Sequence, residues 1–192
     1  MTSSGQPVRV AVLVSGGGTN LQALLDALQH SPIARVTRVI SNRADAGALA
    51  RAARAGVPAM VLQNPSDGAE LLAALGDAQL VVLAGYLKLV PKAVVSRFRG
   101  RMVNIHPALL PDFGGPGMYG HHVHAAVLAS GAKESGVTVH FVDEDFDRGE
   151  IIAQEKVPVK PGDTPDTLAA RVLEAEHRLL PQVVLDLARR VS

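Results

Sequence analysis

Residues 8–28 read VRVAVLVSGGGTNLQALLDAL, which predicts a strand, a glycine loop and a helix in succession. The apolar run Val8–Val14 is typical of a strand that is covered on both faces, as in a parallel sheet. The leucines after the glycines recur at helical spacing, and Thr19 or Asn20 can cap the helix that they predict. A strand followed by a helix is the repeating unit of a parallel α/β sheet.

The same alternation continues along the chain and predicts an α/β fold with an open, mostly parallel, Rossmann-like sheet and helices on both faces. In the C-terminal half, two extended segments could pair as an antiparallel hairpin, and a closing helix opens at 164–166 with a break near Pro181. The further predicted strands are residues 36–40, 59–62, 80–83, 102–105, 136–142 and 151–159. The helices predicted between the first and the closing one are residues 44–55, 68–75, a short helix from Pro91, and residues 122–129.

The composition favours a globular domain and excludes several classes of site. Of the 192 residues, 47% are apolar, and 19 Lys and Arg against 18 Asp and Glu give a net charge of +1. This balance predicts no nucleic acid or membrane partner. The lack of cysteine excludes disulfides, thiolate metal sites and a cysteine nucleophile. The first residues lack a secretory signal, and the longest apolar run, 80–87, is shorter than the roughly 20 residues of a membrane span. We therefore expect a cytoplasmic protein.

The glycine loop 15–20 lies between the carboxyl end of a strand and the start of a helix. Unpaired N–H groups and the helix dipole favour an anion there. The third position of the dinucleotide fingerprint is Leu21 instead of glycine, and no Gly-Lys-Ser/Thr closes a Walker loop. These departures favour a monophosphate. The alternative is a tight turn that needs a positive φ and binds nothing.

Asn104 and His106 are two residues apart near a strand end, so they face the same side. An amide N–H group can donate to a developing oxyanion, and an imidazole can move a proton, which is the pairing that acyl-type transfer needs. The alternative is a strand-end histidine that bonds to a carbonyl group, and the motif 104–107 taken alone favours it.

Asp147 ends the acidic stretch 143–147, and Gly149 follows it, so the chain can turn there and point a carboxylate inward. Most stretches of this kind are merely solvated. If Asp147 faces His106, its negative charge raises the pKa of the imidazole and favours the imidazolium form.

Five of the seven histidines lie between His106 and His140, which invites a zinc interpretation. Zinc sites typically use His-x-x-x-His spacing on a helix or carboxylate helpers, and no His-Glu-x-x-His motif occurs in the sequence. We therefore predict no metal. A serine hydrolase is also disfavoured, because the sequence has no Gly-x-Ser-x-Gly motif.

Three stretches carry a resemblance to known enzymes. They read Ser-Gly-Gly-Gly-Thr-Asn-Leu-Gln at 15–22, Asn-Ile-His-Pro-Ala-Leu-Leu-Pro at 104–111, and Gly-Val-Thr-Val-His-Phe-Val at 136–142 with the run on to Asp147. Together they resemble the phosphoribosylglycinamide formyltransferases, folate-dependent enzymes of purine synthesis, over residues 8–188. The resemblance implies a single formyltransferase domain over 1–192. Its phosphate-binding, Rossmann-like half would be 8–100, and its catalytic and folate-binding half 101–192.

The resemblance also implies residue roles. The catalytic centre would comprise Asn104, His106 as proton donor, and Asp147. The substrate-binding residues would be Gly18, Thr19, Asn20, Leu21, Gln22 and Glu176. The residues that bind the folate would be Leu87, Lys88, Leu89, Val90, Asn104, Asp143, Glu144, Asp145, Phe146 and Asp147.

The chain departs from the family pattern at two places. Segment 112–124 is longer than the short loop of many members, which leaves His121, His122 and His124 without an assigned role. Residues 66–70 hold no basic group where some members place a folate-contacting arginine. Contacts to the glutamate tail of folate would then rely on Lys88 or differ.

The predicted reaction transfers the formyl group of 10-formyltetrahydrofolate, a co-substrate, to the amine of glycinamide ribonucleotide through a tetrahedral intermediate. The expected partners are these two small molecules, and the chain would act as a monomer or a homodimer. Two alternatives stay open. A formyltetrahydrofolate hydrolase would share the catalytic trio, although a phosphate loop would have no purpose in hydrolysis. A non-catalytic phosphosugar or folate binding protein would not need the trio.

Overall fold

The computed structural model describes residues 6–191, and seven strands in this range form one sheet. The strands are β1 (Val8–Val14), β2 (Ala34–Ser41), β3 (Ala59–Val61), β4 (Leu80–Leu83), β5 (Met102–His106), β6 (Glu134–Phe141) and β7 (Ile151–Pro158). Their order is β3-β2-β1-β4-β5-β6-β7, with the first five parallel and β6 and β7 antiparallel. The predicted parallel sheet and C-terminal hairpin are confirmed. Residues 1–5 and Ser192 of the predicted domain 1–192 lie outside the described residues.

Helices cover both faces of the sheet. They are α1 (Thr19–Leu28), α2 (Gly47–Arg54), α3 (Gly68–Leu75), α4 (Lys92–Arg97), α5 (His121–Ala129) and α6 (Pro165–Val191). The buried side chains of α1, α2, α5 and α6 form one core cluster with one face of the sheet, and those of α3 and α4 form a second cluster with the other. Both faces are therefore covered, as the apolar strands predict.

Strand β1 shows why its sequence is apolar throughout. Val10, Val12 and Val14 belong to the first cluster, whereas Ala11 and Leu13 belong to the second, and none of these five side chains is exposed. A central strand has no solvent face, so the alternation of apolar and polar residues disappears.

Two predictions about helices were wrong. The side chains of Thr19 and Asn20 do not cap α1: Gly18 is the N-cap residue, with φ 76°. A Cβ at Gly18 would also lie 2.6 Å from the Cβ of Ala48. Both the positive φ and the lack of space therefore require glycine at this position. Helix α6 runs through Pro181 without the predicted break. A helix-interior proline costs about 3 kcal/mol, and the apolar face that α6 buries offsets that cost.

The topology places a crevice above the carboxyl ends of the central strands. β1 lies between β2 and β4, so the chain leaves β1 on one side and returns to its other side. Open α/β sheets bind ligands at such a switch point. Within the described residues no helix combines the length and the apolar character needed to cross a membrane.

Candidate active site

A cavity of about 600 Å³ opens at the carboxyl ends of β1, β4 and β5. Its walls come from the start of α1, from the segments after β4, β5 and β6, and from α5 and α6. The proposed catalytic residues Asn104, His106 and Asp147 line it, and so do Asn20 and Glu176. Residues that lie up to 156 positions apart in the sequence therefore share one site.

Strand pairing aligns the polar residues of β5. Asn104 and His106 face the same side, and antiparallel pairing sets His140 opposite Asn104 and Thr138 opposite His106. The imidazole of His106 is buried, with 3% of the residue exposed. Its Nε2 lies 2.8 Å from the carbonyl oxygen of Phe113, and because a carbonyl can only accept, Nε2 carries a proton and donates it. The alternative interpretation of a histidine bonded to a carbonyl thus describes one side of this ring.

The other side of the ring faces Asp147, whose Oδ2 lies 3.5 Å from His106 Nδ1. Asp147 adopts φ 56°, which is uncommon for a residue with a side chain, and this conformation turns the carboxylate inward. Oδ2 also accepts from the Gly115 N–H at 2.9 Å, and Oδ1 accepts from Asn104 Nδ2 at 3.3 Å. The acidic stretch therefore ends in a buried, hydrogen-bonded carboxylate.

Burial is the largest influence on the pKa of Asp147 and raises it. The hydrogen bond and charge of His140, the charge of His106 and the Gly115 N–H lower it, and together they hold this pKa below its usual value. Asp147 is thus ionised at neutral pH.

The pKa of His106 moves in the opposite sense to the one the sequence suggests. Asp147 and the Phe113 carbonyl raise it as expected, but burial is the largest influence and lowers it, and nearby His140 lowers it further. The net pKa of His106 lies below its usual value. In the ligand-free site the imidazolium form is therefore the minority at neutral pH.

Sequence reasoning missed His140, which completes the polar cluster. Its Nδ1 donates to the carbonyl of Phe141 at 2.8 Å, and its Nε2 lies 3.1 Å from Asn104 Nδ2. Nε2 is also 3.5 Å from Asp147 Oδ1. The signal was available in part, because His140 lies in the predicted strand 136–142 and among the clustered histidines. The register that selects His140 is a property of the folded sheet.

The glycine loop is tied back to α2 through its carbonyl groups. Gly16 O accepts from the Ala48 N–H at 3.1 Å, and Gly17 O accepts from Arg51 Nε at 2.7 Å. The carbonyls thus point towards α2, and the first-turn N–H groups of α1 remain at the mouth of the cavity. This arrangement suits an anion.

The six predicted substrate-binding residues have different surroundings. Thr19 and Asn20 line the cavity, where Asn20 Nδ2 donates to Glu176 Oε2 and Asn20 Oδ1 is buried without a partner among the described residues. Burial raises the pKa of Glu176, and the bond from Asn20 opposes this.

The other predicted substrate-binding residues do not face the main cavity with their side chains. Leu21 packs in the core. Gln22 lies outside the main cavity and donates to Asp26 at 2.9 Å. Gly18 is the cap described above.

Most of the predicted folate-binding residues lie on the opposite wall. The cavity is lined by Leu87, Lys88, Leu89 and Val90 after β4, by Asn104, and by Asp143, Asp145, Phe146 and Asp147 after β6. Leu87 and Leu89 are each 48% exposed, so the wall offers uncovered apolar surface to a flat ring. Glu144 is absent from the lining and pairs with Lys92 at 2.7 Å.

The three histidines at the end of the longer loop lie on α5 and have different partners. His121 Nδ1 lies 3.4 Å from Asp166 Oδ1, and the ring of His122 packs edge-on against Tyr119 at 5.7 Å. His124 turns into the cavity and is 4% exposed. Over residues 6–191 no group of three or more potential ligands is placed to hold a metal ion.

Comparisons with known proteins agree on one family. A family model described as formyl transferase matches residues 8–184. The chain is 45% identical over 194 residues to the chloroplastic phosphoribosylglycinamide formyltransferase of Arabidopsis thaliana, covering 95% of this chain and 66% of the plant protein. It is 45% identical over 199 residues to the trifunctional purine biosynthetic protein adenosine-3 of Drosophila pseudoobscura pseudoobscura, covering 96% of this chain and 14% of that protein. The chain therefore spans only part of either relative.

A solved structure shows the same fold. The crystal structure of phosphoribosylglycinamide formyltransferase from Anaplasma phagocytophilum superposes with a TM-score of 0.88 at 37% sequence identity. The superposition covers 95% of this chain and 87% of that chain.

Proposed function

The chain belongs to the formyl transferase family, and on that premise we propose that it formylates phosphoribosylglycinamide in purine synthesis. The formyl group comes from 10-formyltetrahydrofolate, and the products are formylglycinamide ribonucleotide and tetrahydrofolate. The observation that carries this proposal is one cavity, which joins the start of α1, a site that suits an anion, to Asn104, His106 and Asp147. A hydrolase has no use for the first of these features.

The two substrates take opposite walls. The phosphate binds the N–H groups at 18–20, and the buried acceptors Asn20 Oδ1 and Glu176 lie in reach of the sugar hydroxyls that extend from it. The folate lies along 87–90 and 143–147, with its ring against the exposed leucines. The amine and the formyl carbon then meet beside Asn104 and His106.

The reaction starts when the amine attacks the formyl carbon, whose oxygen becomes an oxyanion. Asn104 and protonated His106 stabilise that oxyanion. The Nε2 proton of His106 is held by the Phe113 carbonyl, so Nδ1 is the nitrogen that gains and loses a proton. Asp147 faces Nδ1 and favours its protonated form. His106 gives its Nδ1 proton to the folate nitrogen as the oxyanion collapses and the bond from the formyl carbon to that nitrogen breaks. The ring then takes up the proton that the amine loses.

The Asn104 amide must exchange partners during this step. Its nitrogen donates to His140 and Asp147 in the ligand-free site. Once a negative charge develops on the substrate, a charge-assisted bond to Asn104 replaces one of these weaker contacts.

We propose that the chain acts as a monomer or a homodimer. The proposed location is the cytoplasm, which the absence of cysteine supports.

Transfer of an isotopic label tests the proposal. Incubation with heavy-carbon-labelled 10-formyltetrahydrofolate and glycinamide ribonucleotide should place the label on the ribonucleotide, as mass spectrometry would show. His106→Ala protein serves as the blank. Label recovered as free formate would instead indicate a hydrolase, and binding of both ligands with no label movement would indicate a binding protein.

A further inference from the structure

His124 on α5 is buried in the cavity wall without a hydrogen-bond partner. Only 4% of the residue is exposed, and its Nδ1 is sealed from solvent and has no partner among the described residues. No hydrogen bond joins Nε2 to the described protein either, and Nε2 is not among the sealed atoms. The sealed Nδ1 cannot reach a ligand, so Nε2 is the atom through which His124 can bind one in the cavity that it lines.

The tautomer of His124 follows from these surroundings. Burial is the main reason why the pKa of His124 lies below its usual value, so the ring is neutral and carries one N–H group. A proton on Nδ1 would be a buried donor with no acceptor. A proton on Nε2 can meet water or a ligand in the cavity, and this tautomer is therefore favoured.

The packing of α5 places His124 on the ribonucleotide wall. Val127 of α5 shares a core cluster with Leu21 of α1 and Val172 of α6, the two helices that carry Asn20 and Glu176. Val90, from the folate wall, belongs to the cluster on the other face of the sheet. α5 also packs directly against α6, with His121 beside Asp166, so we place His124 on the side of the cavity that carries Glu176.

His124 is also close to the reacting centre. His124 lines the same cavity as His106 and Asn104, and the charges of His121 and His106 both lower its pKa. Between the sugar of glycinamide ribonucleotide and its amine lies a single carboxamide, whose oxygen is the acceptor nearest to the amine.

We propose that His124 Nε2–H donates a hydrogen bond to the carboxamide oxygen of the glycinamide group and so fixes the amine beside His106. This inference rests on the proposed function. His124 is then a substrate-binding residue that selects an α-amino amide and takes no part in proton transfer.

Calorimetric titration with glycinamide ribonucleotide tests the proposal. His124→Leu keeps a side chain of similar bulk but has no hydrogen-bond donor. We expect its dissociation constant to rise by roughly tenfold, which is the effect of losing one hydrogen bond. His124→Gln offers an amide N–H and should recover binding to within about threefold of the wild type. His122→Leu, on the exposed side of the same helix, should bind like the wild type.

An analogue with a methylene in place of the carboxamide carbonyl makes the test specific. Wild type and His124→Leu should bind this analogue equally, because the hydrogen bond is absent from both. Equal losses for the natural ribonucleotide and the analogue would overturn the proposal, since His124 would then act only through packing. Wild-type affinity of His124→Leu for the natural ribonucleotide would overturn it too.

A second measurement needs no substitution and covers the case in which His124→Leu does not fold. The Nε2–H resonance of His124 in imidazole proton–nitrogen correlation spectra should shift on addition of glycinamide ribonucleotide and stay in place with ribose 5-phosphate. No shift with the ribonucleotide would contradict the proposal. If the proposed function were wrong and this inference right, the ribonucleotide would still bind through His124, but no formyl group would be transferred to it.

Discussion

His106 has acceptors on both sides of its ring, the Phe113 carbonyl at Nε2 and the Asp147 carboxylate near Nδ1. Two acceptors are satisfied only by the imidazolium, which has two N–H groups. Burial opposes that charge and lowers the pKa overall. These opposing influences balance the neutral ring of His106 against the imidazolium. A negative charge that develops on the substrate shifts this balance towards the imidazolium.

Asp147→Asn tests this balance. The substitution keeps the shape of the side chain and removes the charge that favours a protonated Nδ1, and we expect kcat to fall by about 10²–10⁴-fold, the usual contribution of general acid–base catalysis. Steady-state rates with both substrates saturating would measure the fall. The control is Asp112→Asn, an exposed carboxyl outside the cavity, which should keep wild-type kcat. Wild-type turnover in Asp147→Asn would show that the charge of Asp147 is not needed to protonate His106.

The placement of Asn104 and His106 on the same side of β5 was predictable, because strand alternation is a local property. His140 was not selected, because its place opposite Asn104 depends on the register of β5 with β6. The direction of Glu144 was not predictable either, since its partner Lys92 comes from another element. The net pKa of His106 needed the extent of burial, which a motif does not contain.

At the scale of elements, Thr138 on β6 anchors the chain that follows β5. Its hydroxyl donates to Ala108 O at 2.7 Å and accepts from the Leu110 N–H at 3.0 Å. The same connection continues to Phe113 O and the Gly115 N–H, which hold His106 and Asp147. The hairpin therefore positions the loop that carries these two groups as well as closing the sheet.

Thr138→Val tests this anchor. The replacement has nearly the same shape but leaves a buried carbonyl and a buried N–H without partners, and we expect the free energy of unfolding to fall by about 1–3 kcal/mol. Urea denaturation would measure it. Thr37→Val is the control, because the Thr37 hydroxyl makes one long contact of 3.4 Å with Val10 O. A Thr138→Val protein as stable as the wild type would show that the hydroxyl anchors nothing.

The junction between the glycine loop and α1 offers a second element-scale prediction. Gly18→Ala forces a side chain into φ 76° and against Ala48, so we expect a loss of about 1–3 kcal/mol in the free energy of unfolding, together with weaker binding of the ribonucleotide. A Cβ at Gly16 would meet no atom within 4 Å, and Gly16→Ala should change stability by less than about 0.5 kcal/mol. Similar thermal midpoints for the two variants would contradict this account of the loop.

The ends of helices and strands were predictable only where the local sequence marks them. Gly68–Leu75 and Leu80–Leu83 were predicted residue for residue, because glycine and apolar periodicity mark them locally. The uninterrupted α6 was not predicted, because its continuity past Pro181 depends on packing against the sheet and α1.

For the whole molecule, three histidines couple stability to pH. The pKa values of His106, His124 and His177 are all lowered, mainly by burial. The unfolded chain, with histidine pKa values near 6.5, therefore binds more protons than the folded one below that pH, and the free energy of unfolding must fall as the pH drops through about 6.5. Glu176 acts in the opposite direction at lower pH, because burial raises its pKa.

Urea midpoints at pH values of about 7.5 and 5.5 would check this coupling, and the lower pH should give the lower midpoint. His124→Gln removes one of the three titrating rings and should weaken the dependence. His122→Gln, on the exposed side of α5, should leave it unchanged. A midpoint that stays level or rises on acidification would show that burial does not control these histidines.

The overall topology was accessible from the sequence, because alternating strands and helices with right-handed crossovers leave few arrangements of a parallel sheet. The meeting of Asn20 with Glu176 was not, since nothing local relates two residues 156 positions apart. Only the resemblance to known enzymes selected Glu176.

We propose that one cavity binds a phosphosugar amine and a formyl-folate together and passes the formyl group between them. The decisive measurement follows the deformylation of 10-formyltetrahydrofolate by absorbance, with and without glycinamide ribonucleotide. We expect deformylation that requires the ribonucleotide and that is lost in His106→Ala. Deformylation at the same rate without the ribonucleotide would contradict it.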